Sequence, residues 1–168
     1  MPMSFNRKLN LEEPRLITKI LVGVDGSENS EKALDYSLEV ADKFSASVLV
    51  LNVFEPPPDF EYLNMFPQPQ ASGYPQELID YPLVINDLRK MHETVLSKAT
   101  ERATKLKPAL KIIAQLKEGD VSSQIVETAA NGEFDLVVIG HSKNKEVFLG
   151  STCERVAHHA GCAVLIVK

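Results

Sequence analysis

The sequence has no large surplus of positive charge, few cysteines and no long apolar run, and each lack narrows what it can do. Its net charge of −5 gives no basic footprint of the kind that neutralises phosphates, so DNA and RNA are discounted as main partners. No apolar stretch approaches the roughly 20 residues needed to span a bilayer. The N-terminus, Met-Pro-Met-Ser-Phe-Asn-Arg-Lys, does not lead into the apolar core of a secretory signal. The expectation is a cytoplasmic protein with no membrane partner. Two cysteines, Cys153 and Cys162, make no disulfide framework, and in a reducing cytosol both would be free thiols. Cys153 falls in the first turn of an expected helix and reads as a small buried core residue; a thiol pKa lowered by the helix dipole is the alternative.

Catalytic signatures are also missing. There is no Gly-x-Ser-x-Gly elbow, and no Walker lysine-serine pair. His158 and His159 are adjacent, so they cannot form the i, i+4 pair of a helical metal site. No catalytic residue and no metal ligand is assigned.

What remains is a chain of 168 residues, 44% hydrophobic, suited to one domain with a proper core. Residues 1–17 show no periodicity and read as an extension. Lys19 to Asp25 is an apolar run, a first buried strand, followed by Gly26 and by Ser27, which can cap a helix. Leu34, Leu38, Ala41 and Phe44 then recur at helical spacing. Ser47 to Phe54 is a second apolar strand, giving a βαβ unit with a right-handed crossover. Residues 55–81, rich in Pro, Gln and aromatics, form a long insert whose packing against its own domain, over a ligand as a lid, or against a second subunit the sequence leaves open.

A long amphipathic helix is expected from Pro82 to Leu106, with Val84, Leu88, Met91, Val95, Ala99, Ala103 and Leu106 on one stripe. Ala109 to Lys117 follows as a third strand, alternating enough for a sheet edge, with Leu110, Ile112, Ala114 and Leu116 in phase. Gly119-Asp120 opens a short helix to Asn131. Leu136 to Ile139 is a strand buried on both faces. It breaks at Gly140 into the basic loop His141-Ser142-Lys143-Asn144-Lys145. Gly150-Ser151-Thr152 then opens a helix over about Leu149 to His159, and Ala163 to Val167 is the last strand.

Strands alternating with helices imply a parallel sheet covered on both faces. Ligands of such sheets sit beyond the carboxyl ends of the strands. The loops at Gly23–Ser27, Val53–Pro56, Gly119-Asp120 and Gly140–Ser151 all lie there. The last of these reads in two ways. A strand running through a glycine loop into a helix start holds anions, but Ser151 and Glu154 also have the spacing of a capping box.

Together, Ile20-Leu-Val-Gly-Val-Asp-Gly-Ser27, Gly119-Asp120, Val137-Val-Ile-Gly140, Gly150-Ser151-x-x-Glu-Arg-Val156 and His159-Ala-x-Cys-x-Val-Leu-Ile-Val167 resemble the universal stress protein family. The resemblance covers residues 18–168. It implies a single-domain α/β fold of the adenine nucleotide alpha hydrolase-like type, an open five-stranded parallel sheet in the order 3-2-1-4-5 with helices on both faces. It also implies a homodimer through the last strand and, in one branch, an adenine-nucleotide site. Mapped onto this chain, Asp25 with Val24 would bind ribose or adenine, and the Val53 backbone would read the adenine edge. Gly140, His141, Gly150, Ser151 and Thr152 would hold phosphate, and Gly119 would also belong to the nucleotide site.

The nucleotide-binding branch carries Gly, two residues, Gly, nine residues and then Gly-Ser or Gly-Thr. Here Lys143 replaces the second glycine, and only six residues separate it from Gly150. The loop offers fewer N–H groups to a polyphosphate, with Lys143, Lys145 and His141 as compensating charge. The expected function is an adenine-nucleotide-binding module (ATP, ADP or AMP, with Mg accompanying ATP) in the stress response, with at most slow ATP hydrolysis. The alternative is a nucleotide-independent dimeric interaction protein that has lost the phosphate loop.

Overall fold

The computed structural model describes residues 17–57, 81–141 and 150–168. Most of the N-terminal extension, most of the 55–81 insert and the basic loop with Lys143 therefore lie outside the described residues. The elements are β1 (Lys19–Gly23), α1 (Glu28–Phe44), β2 (Ser47–Phe54), α2 (Tyr81–Leu106), β3 (Ile112–Glu118), α3 (Val121–Asn131), β4 (Leu136–Gly140), α4 (Ser151–His159) and β5 (Ala163–Val167). All pairings are parallel, in the order β3-β2-β1-β4-β5. This is the order that the family resemblance implies.

The continuous apolar strands fall where such strands must, in the middle of the sheet. Ile20, Leu21 and Val22 of β1, and Val137 and Val138 of β4, are wholly inaccessible to solvent. Because successive side chains point to opposite faces, β1 and β2 feed two cores. Ile20, Val22, Val48 and Val50 pack with Leu34 and Leu38 of α1 and with Leu96 and Ala103 of α2. Leu21, Leu49, Leu51 and Val53 pack with Ile125 of α3 and with Cys153 and Val156 of α4.

Ser27 caps α1, its Oγ accepting from the Ser30 N–H at 3.2 Å, with Glu28 and Glu31 in the positive first turn. At the far end Ser45 adopts a left-handed conformation and donates its N–H to the Ala41 carbonyl. Phe44, expected on the buried stripe, is exposed instead; it is the last helical residue, and Ala33 and Ser37 complete the inner face. In α2 the buried stripe runs through Ile85, Leu96 and Ala103, whereas Val84, Met91 and Leu106 face outward. Ala103, and Ala99 packed against the same core, hold to the expected stripe, but in the first half of the helix burial falls one residue later, at Ile85 and Leu96 in place of Val84 and Val95. Arg102 to Asp35 at 2.8 Å, and Lys107 to Glu39 and Asp42, tie α2 to α1.

β3 is an edge strand, as its alternation suggested. Ile112 and Leu116 pack inward, but Ala114 is exposed and Ile113 on the opposite face is 48% exposed. At the other edge lies β5, whose Val164, Leu165 and Ile166 are only partly buried.

Candidate functional site

The parallel order splits at β1, with β2 on one side and β4 on the other. The chain leaves β1 and β4 in opposite directions, and a crevice opens beyond their carboxyl ends. It has a volume of about 660 Å3.

Its base is apolar, made by Leu51, Val53, Ile125 and Ile139. On the β1 side the ladder ends early. The Val24 N–H donates to the Leu51 carbonyl at 2.9 Å, but the Val24 carbonyl is taken by Asn52 Nδ2 at 2.7 Å. Odd residues of β2 turn their backbone groups toward β1 and even residues toward β3, as the Ser47, Val48 and Leu51 bonds show. Val53 therefore aims its N–H and C=O at the opening past the end of β1.

Asp25 stands at the lip. Its Oδ1 accepts from the Ser27 N–H at 2.9 Å, and its own N–H donates to Ser30 Oγ at 3.3 Å. The side chain reaches solvent while protein atoms crowd its other side. That partial burial opposes ionisation, but the hydrogen bonds from Ser27 and Ser30 outweigh it and hold the carboxyl below its ordinary value. The charge is thus fixed as an acceptor suited to hydroxyl groups. The stability these bonds give is fully present above the ordinary carboxylate range and is lost as pH falls through the lowered pKa. In thermal melts, the advantage of the natural protein over Asp25→Asn should shrink below about pH 4. An advantage that grew on acidification would contradict the assignment.

Across the crevice, Gly140, Gly150, Ser151, Thr152 and Cys153 form the opposite wall. α4 begins at Ser151, and Gly150 is the N-cap residue with φ 68° and no side-chain cap bond. The alternative reading of Ser151 and Glu154 as a capping box therefore does not hold. The Ser151 hydroxyl lies one position inside the helix, and the Glu154 N–H bonds to the Gly150 carbonyl at 3.0 Å. The three preceding N–H groups, of Ser151, Thr152 and Cys153, are the ones a helix leaves without internal partners, and they carry the positive end of its dipole. The Cys153 thiol fits the reading as a buried core residue and not the alternative of a lowered pKa. Burial pushes it up, and its Sγ donates weakly to the Gly140 carbonyl at 3.6 Å.

Of the sequence-derived site residues, Val24, Asp25, Val53, Gly140, Gly150, Ser151 and Thr152 meet in this crevice. Gly119 does not line it; its N–H serves the Phe54 carbonyl at 3.0 Å, and the neighbouring Asp120 caps α3. His141 stands behind the wall. Its N–H donates to the Val167 carbonyl at 2.7 Å, and its carbonyl accepts from Asn29 Nδ2. Lys143 lies outside the described residues. Sequence reasoning missed Asn29, Glu55 and His92, which also line the crevice. One signal was available: Asn52 is a lone amide within the otherwise apolar Val48–Phe54, and a buried amide requires partners. Those partners are Val24 and His92.

The sequence profile of the universal stress protein family matches residues 17–168. A universal stress protein of Methanocaldococcus jannaschii is 30% identical over 91% of this chain and 83% of its own length. Among solved structures, a universal stress protein of Archaeoglobus fulgidus in complex with dAMP matches with a TM-score of 0.60 at 19% identity, covering 92% of this chain and all of that one. A universal stress protein family protein of Arabidopsis thaliana with AMP bound matches with a TM-score of 0.57 at 20% identity, covering 90% of this chain and 91% of that one. At such identities the likeness of the structures is one of fold.

Proposed function

The chain belongs to the universal stress protein family, and on that premise we propose that its crevice binds an adenine nucleotide. The observation that carries this reading is the meeting, in one crevice, of an apolar base, an ionised carboxylate and the free end of a helix. An adenine ring fits the apolar base, with the Val53 backbone at its edge. Asp25 accepts from ribose hydroxyls, beside Val24. Phosphate lies at Gly140, Gly150, Ser151 and Thr152, where unpaired N–H groups and the α4 dipole favour an anion. Lys143 adds charge from the loop.

The loop between Gly140 and Gly150 favours few phosphates. It is three residues shorter than the nucleotide-binding pattern and carries Lys143 in place of a glycine, so AMP suits it better than ATP with Mg. The monophosphates in the Archaeoglobus and Arabidopsis proteins agree with that preference. The protein acts as a binding module in the stress response, with little or no hydrolysis, in the cytoplasm and as a homodimer joined through β5.

The same loop favours a second reading, a nucleotide-independent interaction protein that keeps the fold and the dimer. Denaturing the purified protein and analysing the supernatant by mass spectrometry separates the two. Release of an adenine nucleotide in amounts comparable to the protein is expected. A protein that is empty, and stays empty with AMP at about 1 mM, a concentration that reveals even weak sites, supports the second reading.

A further inference from the structure

We propose that His92 reads the 6-position of the bound base, so that the crevice accepts 6-aminopurines and rejects 6-oxopurines. The proposal rests on the adenine-nucleotide reading and adds to it a residue that selects the base.

The argument begins at Asn52, which is 1% exposed. A backbone carbonyl can only accept, so the amide group facing the Val24 carbonyl at 2.7 Å must be the donor, Nδ2. Oδ1 therefore faces His92, whose Nδ1 lies 2.7 Å away. An amide oxygen can only accept, so Nδ1 carries the ring proton. A neutral imidazole has one N–H, and Nε2 is left as a bare acceptor. No other hydrogen bond to this ring is found among the described residues.

Packing fixes the ring as well as its tautomer. The Phe54 ring lies against it at a centroid distance of 5.3 Å and a tilt of 58°. On Phe54 sits the Arg89 guanidinium, 5.5 Å from the ring centre, itself held by Glu118 at 2.5 Å. His92 lines the crevice together with Val53 and Glu55, at the β2 end where the adenine edge is expected.

An exocyclic 6-amino group would donate to Nε2. A 6-oxo group would set two lone pairs against each other. The ring cannot adapt cheaply, because moving the proton to Nε2 would leave a bare Nδ1 facing Asn52 Oδ1. Nor can Asn52 turn over, because its oxygen would then meet the Val24 carbonyl. The discrimination is built on three groups, with Asn52 as the positioning residue and His92 as the contact.

The test is calorimetric titration of the full chain, in mildly alkaline buffer, with AMP, with IMP, which differs from it at the 6-position and by a proton on N1, and with purine riboside 5′-monophosphate, which keeps a bare N1 and lacks only the 6-amino group. The natural protein should bind AMP about tenfold or more tightly than IMP, the scale of one well-made hydrogen bond set against a lone-pair clash. In His92→Phe, which keeps a ring against Phe54, AMP should weaken about tenfold while IMP and purine riboside 5′-monophosphate do not, so that AMP loses its advantage over the ligand lacking only the 6-amino group. A histidine side-chain 15N spectrum of the natural protein gives a readout independent of any variant. It should show His92 protonated at Nδ1, with the Nε2 resonance moving on addition of AMP. AMP bound no better than IMP or than purine riboside 5′-monophosphate, equal weakening of all three ligands in the variant, or a proton on Nε2 would each overturn the role of His92 while leaving the nucleotide site intact. Failure of the natural protein to bind any of the three would overturn the nucleotide reading itself.

Discussion

Replacing Gly140 by alanine should lower folding stability by about 2–4 kcal/mol, the cost of forcing an atom into a packed interior that cannot give way. A Cβ at this position would lie 2.5 Å from the Asn29 carbonyl carbon, 2.6 Å from its oxygen and 2.7 Å from the Ser30 nitrogen. All three are backbone atoms of the first turn of α1, which cannot rotate aside as a side chain would. The end of β4 and the start of α1 touch backbone to backbone, and Asn29 Nδ2 bonds the next carbonyl, that of His141. Gly140 is thus first a packing residue, and its place in the crevice wall is a consequence. Urea denaturation of Gly140→Ala checks the prediction. A midpoint matching the natural protein would mean that α1 does not sit on β4 as described.

Gly150→Val should do the converse, sparing most of the stability and weakening AMP binding by about 10- to 100-fold, on the scale of the 1–3 kcal/mol that a side chain costs in a glycine-only conformation. Gly150 has φ 68° and ψ 147°, yet a Cβ there would meet nothing within 4 Å. The penalty is conformational, and relieving it would re-aim the N–H groups at the start of α4. Ser151→Ala gives a companion measurement. If Ser151 were the helix cap, the change would cost about 1 kcal/mol; as the first helical residue without a cap bond, it should leave stability nearly unchanged while loosening nucleotide. Affinity by calorimetry and stability by denaturation, measured on the same variants, separate these outcomes. Unchanged affinity in Gly150→Val would remove phosphate from this wall.

The strands and their parallel arrangement were legible because burial on both faces leaves uninterrupted apolar runs, as in Ile20–Val22 and Leu136–Ile139. Their order was not, since periodicity reveals strands but not neighbours; it came from the family resemblance. The helix faces were read less well. Phe44 and Met91 fit a helical period but not the true angle of the stripe, which depends on where the helix lies against the sheet.

Within the site, Gly140 and Gly150 could be found because they mark the junction of a strand and a helix start, and Asp25 came from the family resemblance. His92 could not be found that way. It lies within a 26-residue helix, among charged neighbours, and becomes part of the site only when α2 packs against β2 and brings it to Asn52. His141, expected at the phosphate end, is drawn away for a related reason: β5 and α1 take its backbone N–H and carbonyl. The capping box failed by one residue, since the N-cap is Gly150 and not Ser151.

The central claim is that the crevice binds an adenine nucleotide despite the shortened loop. Its most direct test is calorimetric titration of the nucleotide-free protein with AMP, ADP and ATP. AMP should bind with one site per chain, and each added phosphate should leave affinity unchanged or weaken it, because the loop is three residues shorter than the nucleotide-binding pattern and carries Lys143 in place of a glycine. Absence of binding for all three, from a protein whose melting confirms that it is folded, would contradict the claim and make Gly150-Ser151 a helix start and nothing more.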